Sequence, residues 1–263
     1  MGQETFINYW IGQEPTPPSP TLEEMPPYVD VVPLAFVTIN ESTYELDFSF
    51  LCTTHSEAAI KQAIKVVRAN GTKVLFSIND QRLGTVPNVN AFVANVVREV
   101  LAWGVDGIDF DFEPPDVEST TLVAVVTALR PALRKALGRE PLLTAPIYSP
   151  WLQQQGLLKK FAAQLDFLTT MDYANAATSI GLAQEYMDVL GQPEKVAIGM
   201  ICMDAEQMNS LEELKRMALW EPKQGRKRGA MLYTFSYDVE SREKGGTGYP
   251  DGTYTETIHK YLP

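Results

Sequence analysis

The chain has 263 residues, 45% of which are hydrophobic, and its formal net charge is -11. This hydrophobic content supports a large core and excludes an intrinsically disordered chain. The acidic balance argues against nucleic acid and against an anionic membrane surface as partners, because both require a basic surface. The densest basic spot is Arg226, Lys227 and Arg228, which we interpret as a solvated turn that complements a helix C-terminus.

Short apolar runs alternate with stretches of helical periodicity along the whole chain. The runs predict eight strands, over residues 6–11, 29–39, 73–78, 107–113, 142–147, 165–173, 195–203 and 229–237. The periodic stretches predict helices over residues 56–70, 90–103, 120–137, 151–163, 181–190, 211–219 and 255–261, most of them between two predicted strands. This alternation, in a chain of about the typical length, predicts an α/β fold of the (β/α)8 TIM barrel type. We expect a single domain over residues 1–263.

Several local signals refine this prediction. Gly71, Gly104, Gly138 and Gly191 are placed to end helices, and Ser210 with Glu213 forms a plausible capping box. Pro131 is expected to kink or divide its helix. The stretch 12–27 contains six prolines, which argue against a full first helix and predict a stiff surface loop.

The chain is poor in cysteine and histidine. Cys52 and Cys202 do not make a disulfide framework, so we expect buried free thiols. His55 and His259 lie beside no obvious nucleophile or second ligand, so we expect no histidine chemistry, no metal and no cofactor. No apolar run approaches the length that spans a membrane.

The most informative stretch is residues 106–113, which reads Asp-Gly-Ile-Asp-Phe-Asp-Phe-Glu. Successive side chains of a strand point to opposite faces, so Asp109, Asp111 and Glu113 share one face. Stacking three carboxylates is costly, because like charges in a site of low dielectric resist ionising together. Catalysis gives a reason to tolerate this cost, since crowded carboxylates spread their pKa values and keep one acid protonated near neutrality.

Two other interpretations of the acidic face are open. An exposed strand has the same alternation, but such strands rarely use only acids on their polar face. A divalent-cation site also clusters carboxylates, although no further group of Asp, Glu or His offers the remaining ligands. The catalytic interpretation is favoured. Glu113 then ends the fourth strand, at the barrel face where TIM-barrel enzymes carry their chemistry.

The motif Asp106-Gly107-x-Asp109-x-Asp111-x-Glu113 resembles the DGxDxDxE signature of glycoside hydrolase family 18, which includes chitinases and endo-β-N-acetylglucosaminidases. Weaker similarities follow the same order along the chain. They are Ala35-Phe36 in the second strand, Met171-Asp172-Tyr173 in the sixth, and Gly229-Ala230-Met231-Leu232-Tyr233 in the last.

The resemblance implies a retaining, substrate-assisted mechanism, in which the 2-acetamido oxygen of the sugar attacks the anomeric carbon. Glu113 is then the general acid and base, Asp111 orients the acetamido group, and Asp109 shares a proton with Asp111. Tyr173 donates its hydroxyl to the acetamido oxygen. Met171 and Tyr233 are expected in the substrate site by the same resemblance.

The chain departs from the family pattern at four places. Ser77-Ile78-Asn79-Asp80 replaces S-x-G-G, and Tyr233 replaces a tryptophan that floors the sugar site. Ala174 replaces an aspartate, and the neighbouring Asn175 is the candidate substitute for sugar binding. About 25 residues separate the last two strands, too few for the α+β insertion that deepens the groove of many chitinases.

Three further aromatic residues near strand ends are candidate sugar platforms, because pyranose faces pack on apolar rings. They are Trp10, Tyr148 and Trp151, for each of which ordinary packing is an equal alternative. Altogether the sequence predicts a chitinase that cleaves β-1,4-linked N-acetylglucosamine oligo- or polysaccharides. The alternatives are an endo-β-N-acetylglucosaminidase acting on N-glycan cores and a non-catalytic oligosaccharide-binding protein. We expect a secreted monomer whose signal peptide is absent from this sequence.

Overall fold

A computed structural model describes residues 4–12, 20–113, 120–203, 208–239 and 248–263. The strands are β1 (Thr5–Asn8), β2 (Trp10–Ile11), β3 (Val31–Ile39), β4 (Leu46–Asp47), β5 (Lys73–Asn79), β6 (Gly107–Asp111), β7 (Leu142–Ile147), β8 (Phe167–Thr170), β9 (Val196–Ile201) and β10 (Gly229–Tyr233). The described α-helices are α1 (Glu57–Ala69), α2 (Val89–Trp103), α3 (Thr120–Leu137), α4 (Pro150–Gln153), α5 (Gln155–Ala162), α6 (Ala176–Leu190), α7 (Leu211–Leu219), α8 (Phe235–Asp238) and α9 (Thr253–Tyr261). Short 3-10 turns occur at Leu22–Glu24, Gln81–Gly84 and Pro193–Lys195.

The strands close into a parallel barrel. The sheet runs in the order β1-β10-β9-β8-β7-β6-β5-β3, and β1 also pairs with β3, so the ring is complete. β2 continues β1 along β3, while β4 pairs antiparallel with the end of β3. Eight barrel positions alternating with helices confirm the predicted (β/α)8 barrel. Between β9 and β10 the described residues form α7 and its flanking loops.

Two apolar clusters lie on the two sides of the barrel wall. The larger one fills the space between strands and helices and includes Ile108 and Phe110 of β6. The smaller one lies inside the barrel and includes Ile7, Leu75 and Met231. Because side chains alternate along each strand, consecutive residues of β6 belong to opposite sides of the wall.

Local capping signals mostly acted as expected. α2 and α6 end at Gly104 and Gly191, both in the left-handed conformation that glycine adopts without steric cost. Ser210 and Glu213 form the predicted capping box at the start of α7. α3 continues through Pro131, so this proline does not divide the helix, and the alternative expectation of a kink stays a prediction.

Other element boundaries differ from the predictions. The last strand stops at Tyr233, and Phe235–Asp238 form the short helix α8, capped by the Thr234 hydroxyl. The predicted helix 151–163 is two helices, α4 and α5. α6 begins at Ala176, because the Asn175 side chain caps it with bonds to two backbone N–H groups.

The basic turn differs from its interpretation. Lys227 is buried, and its ammonium group pairs with the Glu4 carboxylate at 2.7 Å. The same group donates to the carbonyls of Ala218 and Trp220, both at 2.8 Å. Lys227 therefore complements the C-terminus of α7 as predicted, but as a desolvated pair and not as a solvated turn.

Two further expectations concern the loops and thiols. Residues 13–19 of the proline-rich stretch lie outside the described residues, and its described part contains the turn Leu22–Glu24. Cys202 is a buried free thiol as expected, whereas Cys52 is free but only half-buried, so the expectation of burial was wrong for Cys52. Within the described ranges, every helix falls short of the length or apolarity needed to cross a membrane.

Candidate active site

β6 carries the acidic motif into the interior of the barrel. Asp109 and Asp111 are both buried, at 1% and 4% exposure, and they lie on the face opposite to Ile108 and Phe110. Glu113 follows two residues after the strand ends and is exposed at the rim. The three acids thus run from the barrel interior to the C-terminal face, the face at which TIM-barrel enzymes hold their substrates.

Asp109 is the most enclosed of the three acids. It accepts hydrogen bonds from the hydroxyls of Tyr9 at 2.8 Å, Ser77 at 2.8 Å and Thr144 at 2.6 Å. Burial raises the pKa of Asp109, and the three donated bonds act in the opposite direction because they favour the charged form. The three hydroxyl donors therefore hold the Asp109 carboxyl group in one orientation below Asp111.

Asp111 and Glu113 are joined by one amide group. The Nδ2 atom of Asn79 donates to Asp111 Oδ2 at 2.7 Å and to Glu113 Oε1 at 3.1 Å. Asp111 Oδ1 is buried and accepts no hydrogen bond from the described residues. One carboxylate oxygen of Asp111 thus remains available to a donor that enters the site.

The environment of Asp111 favours its protonated form. Burial raises its pKa well above the usual value, and the charges of Glu113 and Asp109 raise it further. The bond from Asn79 lowers this pKa, and a hydrogen bond with Glu113 raises it. Asp111 therefore keeps a proton at pH values at which an isolated aspartate is ionised.

Aromatic rings enclose the space above the acids. Tyr233 is at their centre, with ring centroids 5.7 Å from Tyr9, 6.1 Å from Tyr173 and 6.3 Å from Phe36. Burial and the charges of nearby acids raise the pKa of Tyr9 and of Tyr173 well above that of free tyrosine. Both hydroxyls therefore stay protonated at neutral pH and act as donors.

These groups surround a cavity of about 320 Å³, here called the central cavity. It is lined by Tyr9, Phe36, Asn79, Asp111, Glu113, Pro146, Tyr148, Met171, Tyr173, Ile201, Met203 and Tyr233. A second space of about 500 Å³, the lateral cavity, shares Met171, Tyr173 and Ile201 with it. The two cavities are neighbours on the C-terminal face, which suits a ligand longer than one ring.

The predicted sugar contacts divide into two groups. Tyr148, Met171, Tyr173 and Tyr233 line the central cavity, where the three tyrosines are half-buried. Asn175 lines the lateral cavity instead, and its Oδ1 is engaged by the backbone N–H groups at the start of α6. Its carbonyl oxygen is therefore a helix cap and does not replace the aspartate that the family pattern has at Ala174.

The prediction that Trp10 and Trp151 are sugar platforms is wrong. Trp10 is fully buried, and its indole N–H donates to the carbonyl of Pro20 at 3.0 Å. Trp151 is also fully buried and stacks on Phe161 with ring centroids 5.0 Å apart. Neither ring lines the central cavity, and a ring that is covered by the core offers no face to a sugar.

Asp106, the first acid of the motif, is separated from the other three. It is fully buried at the start of β6, where it accepts from Arg68 at 2.9 and 3.0 Å and from Arg139 at 2.5 Å. Its Oδ2 also accepts the backbone N–H of Val74 at 3.0 Å. Asp106 therefore ties β6 to neighbouring elements at the end of the barrel opposite to Glu113.

Sequence reasoning missed the polar partners of the acids. Ser77 pairs with Asp109 and Asn79 with Asp111 in the parallel register of β5 and β6, and Thr144 of β7 pairs with Asp109. The available signal was that Ser77 and Asn79 are two residues apart, because Asp109 and Asp111 on the next strand have the same spacing. Tyr9 reaches Asp109 across the barrel and left no such signal.

Among the described residues, no group of three or more His, Cys, Asp or Glu side chains is placed to hold a metal ion. The acids of the central cavity are instead contacted by amide and hydroxyl donors. Such donors stabilise carboxylates by charge-assisted hydrogen bonds. The arrangement can therefore hold and move a proton at the edge of a cavity lined by aromatic rings.

Comparison with known proteins agrees with this geometry. The family model described as the endo-β-N-acetylglucosaminidase EndoS TIM-barrel domain matches residues 9–247. A protein described as a probable class II chitinase from Arthroderma benhamiae is 29% identical over 213 residues. The aligned part is 66% of this chain and 64% of that protein, so the chain spans less than two thirds of this relative.

Solved structures share the fold. A family 18 chitinase from Pseudoalteromonas aurantia superposes with a TM-score of 0.76 at 18% identity, covering 98% of this chain and 100% of that chain. An endo-β-N-acetylglucosaminidase from Cordyceps militaris superposes with a TM-score of 0.71 at 16% identity, covering 100% of this chain and 92% of that chain. At these identities the likeness shows the fold alone. The family model, which covers most of the chain, and the motif on β6 together show that this protein belongs to the EndoS-type TIM-barrel family within glycoside hydrolase family 18.

Proposed function

We propose that the protein hydrolyses β-1,4 linkages between N-acetylglucosamine residues of chitin, with retention of configuration and by substrate assistance. The observation that carries this proposal is the pair Asp111 and Glu113, which share one amide donor at the edge of the central cavity. Asp109 lies below the pair and Tyr173 belongs to the aromatic wall of the same cavity. Each step of the mechanism below uses one of these groups.

The positions of the acids support substrate assistance. The two carboxyl oxygens that accept from Asn79 lie 2.7 and 3.1 Å from the same nitrogen, so both acids are on one side of the cavity. Inverting glycosidases hold their carboxyl groups about 6.5–9.5 Å apart, on opposite faces of the sugar. Two carboxyl groups on one side are compatible with retention, and the resemblance of the β6 motif to family 18 implies that the substrate, and not Asp111, supplies the nucleophile.

Binding of the 2-acetamido group prepares the pair for catalysis. Asp111 Oδ1 accepts nothing from the described residues and is placed to accept the acetamido N–H. A donor at this oxygen favours ionised Asp111, so the proton that Asp111 holds moves to Glu113. The Tyr173 hydroxyl, which stays protonated, donates to the acetamido oxygen and holds it below the anomeric carbon.

The reaction then proceeds in two steps. In the first, the acetamido oxygen bonds to the anomeric carbon, the glycosidic bond breaks, and the leaving oxygen takes the proton of Glu113. The oxazolinium ion that forms carries a positive charge, which the Asp111 carboxylate stabilises. In the second, ionised Glu113 takes a proton from water, the hydroxide oxygen bonds to the anomeric carbon, and the ring of the oxazolinium ion opens.

A second candidate function is cleavage of the same linkage in the chitobiose core of N-glycans. The family model that matches most of the chain is that of an endo-β-N-acetylglucosaminidase domain, which favours this candidate. The 27 residues between β9 and β10 are too few for the α+β insertion that deepens the groove of many chitinases, and a groove without this insertion suits a branched glycan. The chemistry at Asp111 and Glu113 is the same for both substrates.

The expected partner is therefore an N-acetylglucosamine oligo- or polysaccharide, and the net charge of -11 argues against nucleic acid and anionic membranes. We further propose that the protein is a secreted monomer. Secretion is supported by the substrate class, since an insoluble polymer such as chitin has to be attacked outside the cell. Gel filtration and analysis of the culture medium test these two points.

One product analysis separates the functions. The protein is incubated with chitin oligomers and, separately, with a high-mannose glycoprotein, and the masses of the products are measured. Shortened oligomers support a chitinase, and a glycoprotein that retains one N-acetylglucosamine per site supports the second candidate. Binding of oligomers with neither product is the outcome expected of a non-catalytic oligosaccharide-binding protein, and it would refute hydrolysis.

Glu113→Gln provides the matched test of the acid. Glutamine keeps the shape of the side chain but has no proton to give, so turnover is expected to fall by about 100- to 10,000-fold. Oligomer binding, measured by calorimetry, is expected to stay within about threefold, because Glu113 is exposed at the rim. Unchanged turnover would remove Glu113 from its role.

A further inference from the structure

Asn79 occupies a position that the acidic motif itself does not include. It is the last residue of β5, half-buried, and it pairs in register with Asp111 on β6. Its Nδ2 group is bonded to Asp111 Oδ2 and to Glu113 Oε1. An amide NH2 group has two hydrogens, so each acid receives one bond from the same nitrogen.

We propose that Asn79 is a positioning residue that holds Asp111 and Glu113 together and sets the pH range in which the pair carries a single proton. This inference deepens the proposed function and rests on it for its activity readout. Asn79 touches both acids directly, and its role is exerted through them.

The groups around Asp111 and Glu113 determine how strongly the Asn79 amide affects these two acids. The titratable groups that face the pair are Asp109 below it and Tyr9, Tyr148, Tyr173 and Tyr233 on the cavity wall. No lysine, arginine or histidine lines the central cavity among the described residues. The repulsion between the two carboxylates is therefore opposed locally by the neutral amide of Asn79, since the donors on Asp109 are used below the pair.

The direction in which the pH profile shifts without Asn79 follows from which group donates each hydrogen bond. A donated hydrogen bond favours the ionised form of its acceptor, and Asn79 donates to both acids. In a plot of kcat/KM against pH, activity rises on the acid side when one of the two acids, Asp111 or Glu113, loses its proton. Activity falls on the alkaline side when the remaining proton is lost. Without Asn79 both ionisations are less favourable, so both limbs move to higher pH.

Asn79→Leu removes the donor while keeping a side chain of similar shape. Both limbs of kcat/KM against pH are expected to move up by about one unit, which corresponds to the loss of one hydrogen bond to a charged group. At the optimum, kcat is expected to fall by roughly tenfold, because the two acids are no longer held in one geometry. The substrate is an N-acetylglucosamine oligomer.

Asn95→Leu is the matched control. Asn95 is a buried amide on α2 that accepts the backbone N–H of Leu46, and it does not line the central cavity. Its loss is expected to lower stability and to leave both limbs in place. Equal shifts in the two variants would mean that the profile reports stability, and this would overturn the inference.

A measurement without substrate separates the inference from the proposed function. Carbon-13 NMR of labelled aspartate carboxyl groups follows the titration of Asp111, whose signal is assigned by its absence in Asp111→Asn. Because the bond from Asn79 lowers the pKa of Asp111, the Asp111 titration is expected to move upward in Asn79→Leu and to stay in place in Asn95→Leu. Asn79→Gly, which adds no bulk, has the same expected shift and replaces Asn79→Leu if that variant does not fold.

The outcomes are distinguishable. An unmodified protein that cleaves neither substrate refutes the proposed function, while a shifted NMR titration in Asn79→Leu still supports the role of Asn79. Cleavage by the unmodified protein, with unchanged limbs and an unchanged NMR titration in a folded Asn79 variant, overturns the inference and leaves the proposed function standing.

Discussion

Asp106 and Glu113 belong to one eight-residue motif, and the geometry predicts that replacing them has opposite consequences. Asp106 is fully buried between the guanidinium groups of Arg68 and Arg139 at the start of β6. Glu113 is at the other end of the strand, on the rim of the central cavity. Residues at the N-terminal face of a TIM barrel serve stability, whereas the C-terminal face carries the chemistry.

The loss of stability expected for Asp106→Asn depends on how exposed its arginine partners are to solvent. Asparagine keeps an acceptor for the Val74 N–H but loses the charge that both arginines contact. Breaking a buried ion pair costs about 3–5 kcal/mol. The side chains of Arg68 and Arg139 are 34% and 38% exposed, so water screens part of the loss and about 3 kcal/mol is expected. For a chain of this length, that lowers Tm by about 6–12 °C.

Asp166→Asn is the control. Asp166 pairs with Arg130 at 3.0 Å and accepts the Leu143 N–H at 2.8 Å, so it has the same kinds of partner as Asp106 but one arginine fewer. Its side chain is 36% exposed, so the expected loss is about 1 kcal/mol or less.

Thermal unfolding by calorimetry and kcat/KM on an N-acetylglucosamine oligomer, below both Tm values, are measured for the two variants. Asp106→Asn is expected to be the less stable variant and to keep kcat/KM within about twofold of the unmodified protein, because it lies far from the reacting groups. Equal losses of stability in the two variants would refute the role of burial. A stable Asp106→Asn without turnover would place Asp106 in the chemistry.

Three further predictions concern the interior of the barrel, the core around Trp151 and the cavity wall. Tyr9→Phe removes one donor from Asp109, whose pKa burial already raises, so this pKa rises further. At a pH below the pKa that Asp109 has in the unfolded chain, Asp109 is protonated in both the folded and the unfolded state. The loss of stability in Tyr9→Phe is therefore expected to be small near pH 3. It is expected to grow as pH rises and to level off above the pKa that Asp109 has in the folded protein. Urea unfolding at several pH values checks this, and a loss that does not change with pH would limit Tyr9 to packing. Trp151→Ala is expected to cost about 3–5 kcal/mol of stability, since the ring is fully buried. Tyr148→Ala is expected to raise KM with little change in Tm, because Tyr148 lines the central cavity and is half-buried. Similar Tm values for Trp151→Ala and Tyr148→Ala would contradict the placement of the two rings.

The alternation of acids and apolar residues determined, without coordinates, which side chains of β6 share a face. Strand periodicity is a local property, so Asp109, Asp111 and Glu113 were assigned together correctly from their spacing. The same holds for Gly104 and Gly191, whose left-handed conformation ends a helix wherever it occurs. The family motif was likewise visible, because its eight residues are consecutive in the sequence.

Only the tertiary structure decided what touches the acids and which rings are open to a ligand. Asn79 meets Asp111 and Glu113 because β5 and β6 adopt one register, and a slip by one residue would turn Asn79 to the other face. Trp151 was indistinguishable from a sugar platform by position, and its burial depends on the packing of Phe161 from a different helix. Register and burial are set by the closure of the whole barrel, and no segment of the sequence carries that information alone.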